Sequence, residues 1–177
     1  MKKIIFLLAI FTIAFASCSK TKKLTKQQQQ QRSDLKDTYE TLKKEMAEAQ
    51  VTMEGESVKV VLPEAVLFRV NSAELNTEYF PILKKMAIVL NKYPKTSVMV
   101  SGYTDVSGSE ALNKDLSQKR AENAKKVMLD NGVKDERLNI WGFGSKNPIA
   151  DNKTEEGRKQ NRRVEFVIMY DNKEEKK

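Results

Sequence analysis

The chain of 177 residues has no histidine, and that absence excludes more chemistry than any residue present points to. No other side chain has an ordinary pKa near neutrality, so the usual general base and the commonest metal ligand are both missing. A single cysteine, Cys18, rules out an intrachain disulfide and any paired-cysteine metal site. No nucleophile stands beside a base in any recognisable pattern, so hydrolytic chemistry is not expected. One tryptophan and few other aromatics leave no interleaved basic–aromatic surface of the kind that reads nucleic acid. Long apolar runs are lacking too. Ile4 to Phe15, interrupted by Thr12, falls short of the ~20 residues that cross a bilayer. Lys and Arg number 32 against 24 acidic residues, a net charge of +8. A basic excess of that size suits an anionic polymer without choosing which.

The N-terminal segment has the layout of a secretory signal: Lys2-Lys3, the apolar run, then Phe15-Ala16-Ser17 before Cys18. Small residues ahead of a lone cysteine resemble a bacterial lipobox. Residues 1–17 are therefore expected to be removed and Cys18 to become the lipidated first residue, anchoring the chain in the outer membrane. Residues 18–50 divide into a polar tract, with Gln27 to Gln31 at its centre, and a helical pattern from Ser33 to Gln50. The tract is too polar to bury a core and is expected to act as a tether. In the helix, Leu35, Tyr39, Leu42, Met46 and Ala49 recur in steps of four and three. That narrow stripe suits either a coiled-coil seam, and so a homodimer, or a helix lying on the domain.

Residues 51–171 read as one domain and 172–177 as a charged tail. Val58 to Leu62 is a strand, and Glu78 to Tyr93 a helix with Pro81 in its first turn. Ser97 to Ser101 reads as a strand buried on both faces. A long helix then shows clearly from Asn113 to Met128, with Ser107 to Glu110 reading as a capping box that starts it. Leu138 to Phe143 and Val164 to Tyr170 are further strands, with Trp141 expected in the core. The order is β-α-β-α-β-β: an α/β (α+β) sandwich, with helices on one face of a mixed four-stranded sheet.

The stretch Gly102-Tyr103-Thr104-Asp105 follows the central strand, where open α/β sheets bind ligands. The helix after it has an odd inner face: Asn113, Leu116, Ser117, Arg120, Ala121, Ala124, Val127 and Met128. Arg120 is the only charge there. An inward charge needs a partner or a ligand, because uncompensated burial costs several kcal/mol. Asp105 stands near. The residues leave two readings open: an internal Asp105–Arg120 ion pair, or a pair of charges awaiting a guest.

Thr104-Asp105-x-x-Gly108, then Asn113-x-x-Leu116-Ser117-x-x-Arg120-Ala121, resembles the signature of the OmpA-like C-terminal domain. A second block agrees: Gly142-x-Gly144, Pro148-Ile149-Ala150, Asn152, then Gly157-Arg158-x-x-Asn161-Arg162-Arg163-Val164. With the lipobox, the chain is similar to peptidoglycan-associated, Pal-like lipoproteins. Tyr103 departs from the His that many members carry there. The resemblance implies non-covalent binding of peptidoglycan, with Asp105 meeting the ammonium and Arg120 the carboxylate of a diaminopimelate side chain. It also implies that Asn113, Thr104 and Asn71 line the pocket, that Arg162 points toward the ligand carboxylate, and that Arg163 faces out or supports the loop. No cofactor or metal is implied.

Two other readings remain at this stage. One is an envelope-machine adaptor whose main partner is a protein, with the Ser33–Gln50 helix as its docking segment. The other is an accessory domain that positions a wall hydrolase.

Overall fold

The computed structural model describes residues 24–69 and 72–170. Cys18, Asn71 and the charged tail lie outside the described residues, so the structure does not bear on their expected roles.

The chain runs α1 (Lys26–Glu45), β1 (Gln50–Glu54), β2 (Ser57–Pro63), α2 (Glu64–Leu67), α3 (Phe80–Lys92), β3 (Thr96–Tyr103), α4 (Glu110–Asp130), β4 (Leu138–Gly144), α5 (Glu155–Asn161) and β5 (Arg163–Tyr170). Single 3-10 turns precede α3 and β4. The sheet has five strands in the order β1-β2-β5-β3-β4, with β3 and β4 parallel and the other pairs antiparallel. The expected four strands gain β1, which no buried face announces: its five residues are exposed or half-exposed. It pairs with β2 across Gly55-Glu56, and Gly55 takes φ +61°, the positive value that a type II′ hairpin requires at its first central residue.

The first helix begins seven residues earlier than its apolar stripe suggests. Thr25 and Gln28 form a reciprocal capping box, so the glutamine run is helical rather than a free tether. Glutamine is a good helix former, and composition alone hides that. Leu35, Leu42 and Met46 are buried in the same core as the sheet, with Tyr39 and Ala49 packed against them. The stripe is thus covered by the domain itself.

That core lies between the helices and one face of the sheet. Val58, Val60 and Leu62 of β2, Val98 and Val100 of β3, and Val164, Phe166 and Ile168 of β5 face it. Leu83, Met86 and Leu90 of α3, and Ala121, Ala124 and Met128 of α4, close it. Every one of these strands alternates, so the other face carries its own residues. Among the described residues that face is only partly covered, which corrects two expectations. Ser97 and Met99 of β3 are only half-buried, and Trp141, expected in the core, is 53% exposed.

The open margin of β4 is occupied by side chains from α4. Lys114 donates to Gly142 O, Gln118 accepts from Gly142 N at 2.8 Å, and Lys125 donates to Leu138 O at 3.0 Å. The Lys114 ammonium also lies 4.7 Å from the Trp141 ring centre.

Strand direction places the site. β5 is antiparallel to both of its neighbours, so the ends of β2 and β3 meet the start of β5 at one edge of the sheet. Pro63, Tyr103 and Arg163 stand side by side there.

Candidate functional site

Three short segments leave that edge: Glu64 after β2, Thr104-Asp105 after β3, and Arg162 before β5. α4 crosses over them because glycine lets it come close. A Cβ at Gly102 would lie 2.1 Å from Ser117 O, and one at Gly142 would lie 2.4 Å from Gln118 N. Ser117 sits in the space left and accepts from Gly144 N at 2.9 Å. α4 starts at Glu110, with Ser109 as its cap, accepting from Leu112 N. The expected capping box at Ser107 is not formed, because the Ser107 N–H is taken by Asp105 Oδ1 at 2.7 Å.

The inner face of α4 holds as read: Asn113, Ser117, Arg120, Ala121, Ala124, Val127 and Met128 are buried, and Leu116 is half-buried. Arg120 is 1% exposed. Its expected partner, Asp105, is not the one it has. Arg120 donates through Nη2 to Glu64 Oε1 and through Nε to Ser72 O at 3.0 Å, with its guanidinium over the Phe68 ring. Asp105 instead accepts from Arg162 Nη1 at 2.6 Å. Arg162 Nε also meets Glu64 Oε2 at 2.8 Å. The four groups form one line of alternating charge: Arg120, Glu64, Arg162, Asp105. Glu64 is the functional candidate that the sequence reading lacked. It follows Pro63 and looks like an exposed turn residue, yet it is 8% exposed. Pairing Val58 with Ile168 and counting along both strands puts it opposite Arg162, and its N–H donates to Arg162 O at 2.9 Å.

The line borders a cavity of about 600 Å³ that Thr104, Asn113, Asn152, Glu155 and Arg158 also line. Asn113 Nδ2 donates to Ser107 O at 2.9 Å and to Asp105 O at 3.3 Å, so its amide nitrogen holds the loop. Thr104 donates its hydroxyl to Asp105 O and its N–H to Gly144 O. Arg162 reaches Glu155 at 3.4 Å, and its side chain keeps 26% exposure, the most open of the four. Arg163 supports the loop from the opposite face of the sheet. It is 3% exposed, paired with Glu165 at 2.7 Å, bonded to Asn161 O and laid over the Tyr103 ring at 3.8 Å. Asn161 clasps residues 149–152 through four hydrogen bonds. Among the described residues, no group of acidic or cysteine side chains is placed to hold a metal ion.

Burial pushes the Arg120 guanidinium down and Glu64 opposes that shift. An arginine stays charged regardless. Burial works to raise the Asp105 carboxyl, but the bond from Arg162 and the amide of Ser107 outweigh it and hold the group below the usual aspartate range. A depressed native pKa adds stability above the unfolded value of about 4, lost as pH falls through the native value. Asp105→Asn should therefore flatten the acid limb of the pH–stability profile below about pH 4. An unchanged limb, read by urea titration at several pH values, would remove Asp105 from the network.

Two cations and two anions in line leave no net charge, so the site suits a guest that itself carries both signs.

The OmpA family pattern matches residues 67–162, more than half of the chain. The probable lipoprotein YiaD of Escherichia coli is 42% identical over 118 residues, covering 67% of this chain and 54% of YiaD. The peptidoglycan-binding protein ArfA of Mycobacterium tuberculosis is 38% identical over 112 residues, covering 63% of this chain and 34% of ArfA. The chain thus spans about half of the first relative's length and a third of the second's. Among solved structures, the cell wall anchor of the type VI secretion system (T6SS) from Pseudomonas aeruginosa superimposes with a TM-score of 0.68 at 27% identity. That match covers 78% of this chain and 99% of the anchor. With this pattern spanning the first sequence block and the second as far as Arg162, Asp105 and Arg120 included, the chain belongs to the OmpA family.

Proposed function

We propose that this protein binds peptidoglycan non-covalently through the zwitterionic end of a diaminopimelate stem residue, and that a lipid on Cys18 holds it to the outer membrane. The domain then stands in the periplasm and ties membrane to wall without catalysing a reaction. The observation that carries this reading is the buried Arg120 at the floor of a charge-balanced cavity, on a fold shared with a peptidoglycan-binding relative and a cell wall anchor. An arginine fork meets a carboxylate with two parallel bonds, and a fixed aspartate meets an ammonium. Asp105, Arg120, Arg162, Asn113 and Thr104 border the cavity, and Asn71 is kept as a binding residue on the family resemblance alone. No helix among the described residues is long and apolar enough to cross a membrane.

The adaptor reading drew on the Ser33–Gln50 helix as a free docking stripe. That stripe is buried in the domain's own core, so nothing there favours a protein partner or a homodimer over the wall.

The test is sedimentation of the full chain with purified diaminopimelate-type sacculi. The protein should pellet, and free diaminopimelate should release it while lysine, which lacks the second carboxylate, should not. A protein that stays in the supernatant overturns the reading.

A further inference from the structure

The four charges of the site are paired with one another, and the two acids among them are held differently. Asp105 is pinned from two sides: the Ser107 N–H at 2.7 Å on one oxygen and Arg162 on the other. Among the described residues, the Glu64 carboxylate has no backbone donor. One of its oxygens meets the guanidinium of Arg120 and the other that of Arg162. It takes Nη2 of Arg120, whose Nε is committed to Ser72 O, and so competes with an incoming carboxylate for that guanidinium. The Glu64 backbone is meanwhile tied to β5, so the side chain can swing without unravelling the strand.

We infer that Glu64 is the selectivity element of this pocket: a resident carboxylate that occupies Arg120 in the free protein and yields it to the guest's carboxylate. This rests on the wall-binding reading above. Two effects follow. Glu64 competes with every carboxylate guest, which weakens all of them. It also keeps the site neutral, which penalises a guest bringing negative charge without an ammonium. A zwitterion displaces Glu64 and meets Asp105 with its own cation, so the charges stay matched. A plain diacid displaces Glu64 and leaves the pocket with surplus negative charge.

The experiment is calorimetric titration of the full chain and of Glu64→Gln with diaminopimelate and with pimelate, the same seven-carbon diacid without its amino groups. The wild-type chain should bind diaminopimelate and reject pimelate. Glu64→Gln should bind diaminopimelate about tenfold more tightly, the scale of one charge-assisted hydrogen bond no longer competed for. It should gain still more for pimelate, so the ratio between the two ligands shrinks. A purely structural role for Glu64 would lower both affinities together and leave that ratio alone. If Glu64→Gln does not hold its near-UV circular dichroism, Glu64→Asp decides. The shorter acid keeps the charge but cannot span both guanidiniums, so diaminopimelate should bind more tightly while pimelate is still rejected. Weaker diaminopimelate binding in the folded variant, or an unchanged ratio in Glu64→Gln, overturns the inference. Failure of the wild-type chain to bind diaminopimelate overturns the wall-binding reading itself.

Discussion

Arg120→Ala should leave the protein in the supernatant when sacculi are pelleted, and should lower its melting temperature by roughly 10 °C. The binding loss follows from removing the buried guanidinium that lines the cavity. The stability loss has a separate origin. Glu64 is 8% exposed and would keep Arg162 but lose its buried partner. Breaking one side of a buried ion pair costs about 3–5 kcal/mol. The surviving Arg162 contact puts the expected value near the lower end, about 3 kcal/mol. For a domain of this size, that is a shift of roughly 6–12 °C. Arg120→Lys should not restore binding. A compact ammonium cannot serve Ser72 O and a carboxylate together in the fixed geometry of the fork. If Arg120→Ala pellets with sacculi as the wild type does, the buried arginine is only a structural strut.

Gly102→Ala should cost about 3 kcal/mol or more and take binding down with it. The added methyl would lie 2.1 Å from Ser117 O and 2.9 Å from Ser117 C, both main-chain atoms that no rotamer change can move. α4 would have to retreat by more than an ångström, and overpacking of this kind typically costs 1–3 kcal/mol or more. The same retreat carries Arg120 away from Glu64, so the pocket is disturbed without any pocket residue being altered. Gly108→Ala is the control. Nothing lies within 4 Å of its Cβ position, and only its φ of +84° opposes the change. That left-handed backbone alone costs about 1–2 kcal/mol. Urea midpoints that fall equally for the two variants would mean that α4 does not rest on β3 as described.

What could be read from the chain was what depends on local periodicity. The inner face of α4 was legible because Arg120 interrupts a run of small and apolar residues at helical spacing, and a charge there has to be explained. Its partner was not legible. Glu64 lies 56 positions away and comes opposite Arg162 only through the β2–β5 register. The nearer acid, Asp105, drew the expectation instead. The early start of α1 was hidden because polar composition suggests a tether, while the Thr25–Gln28 cap is a feature of two side chains. Strand β1 was missed because an edge strand with no buried face has no alternation to detect. Trp141 is instructive, since the signal was present. Gly142 and Gly144 sit where α4 comes closest, so the helix-facing positions of β4 are the even ones, and Trp141 must point the other way.

The lysine and glutamine side chains folded over the margin of β4 have one more consequence. A sheet margin with bare amides and carbonyls invites a neighbouring molecule to add its own strand, and from there to polymerise. Here the Gly142 amide, the Gly142 carbonyl and the Leu138 carbonyl are already taken by the protein's own helix. Copies crowded shoulder to shoulder would find those three groups already bonded, which makes that border a poorer template for an added strand.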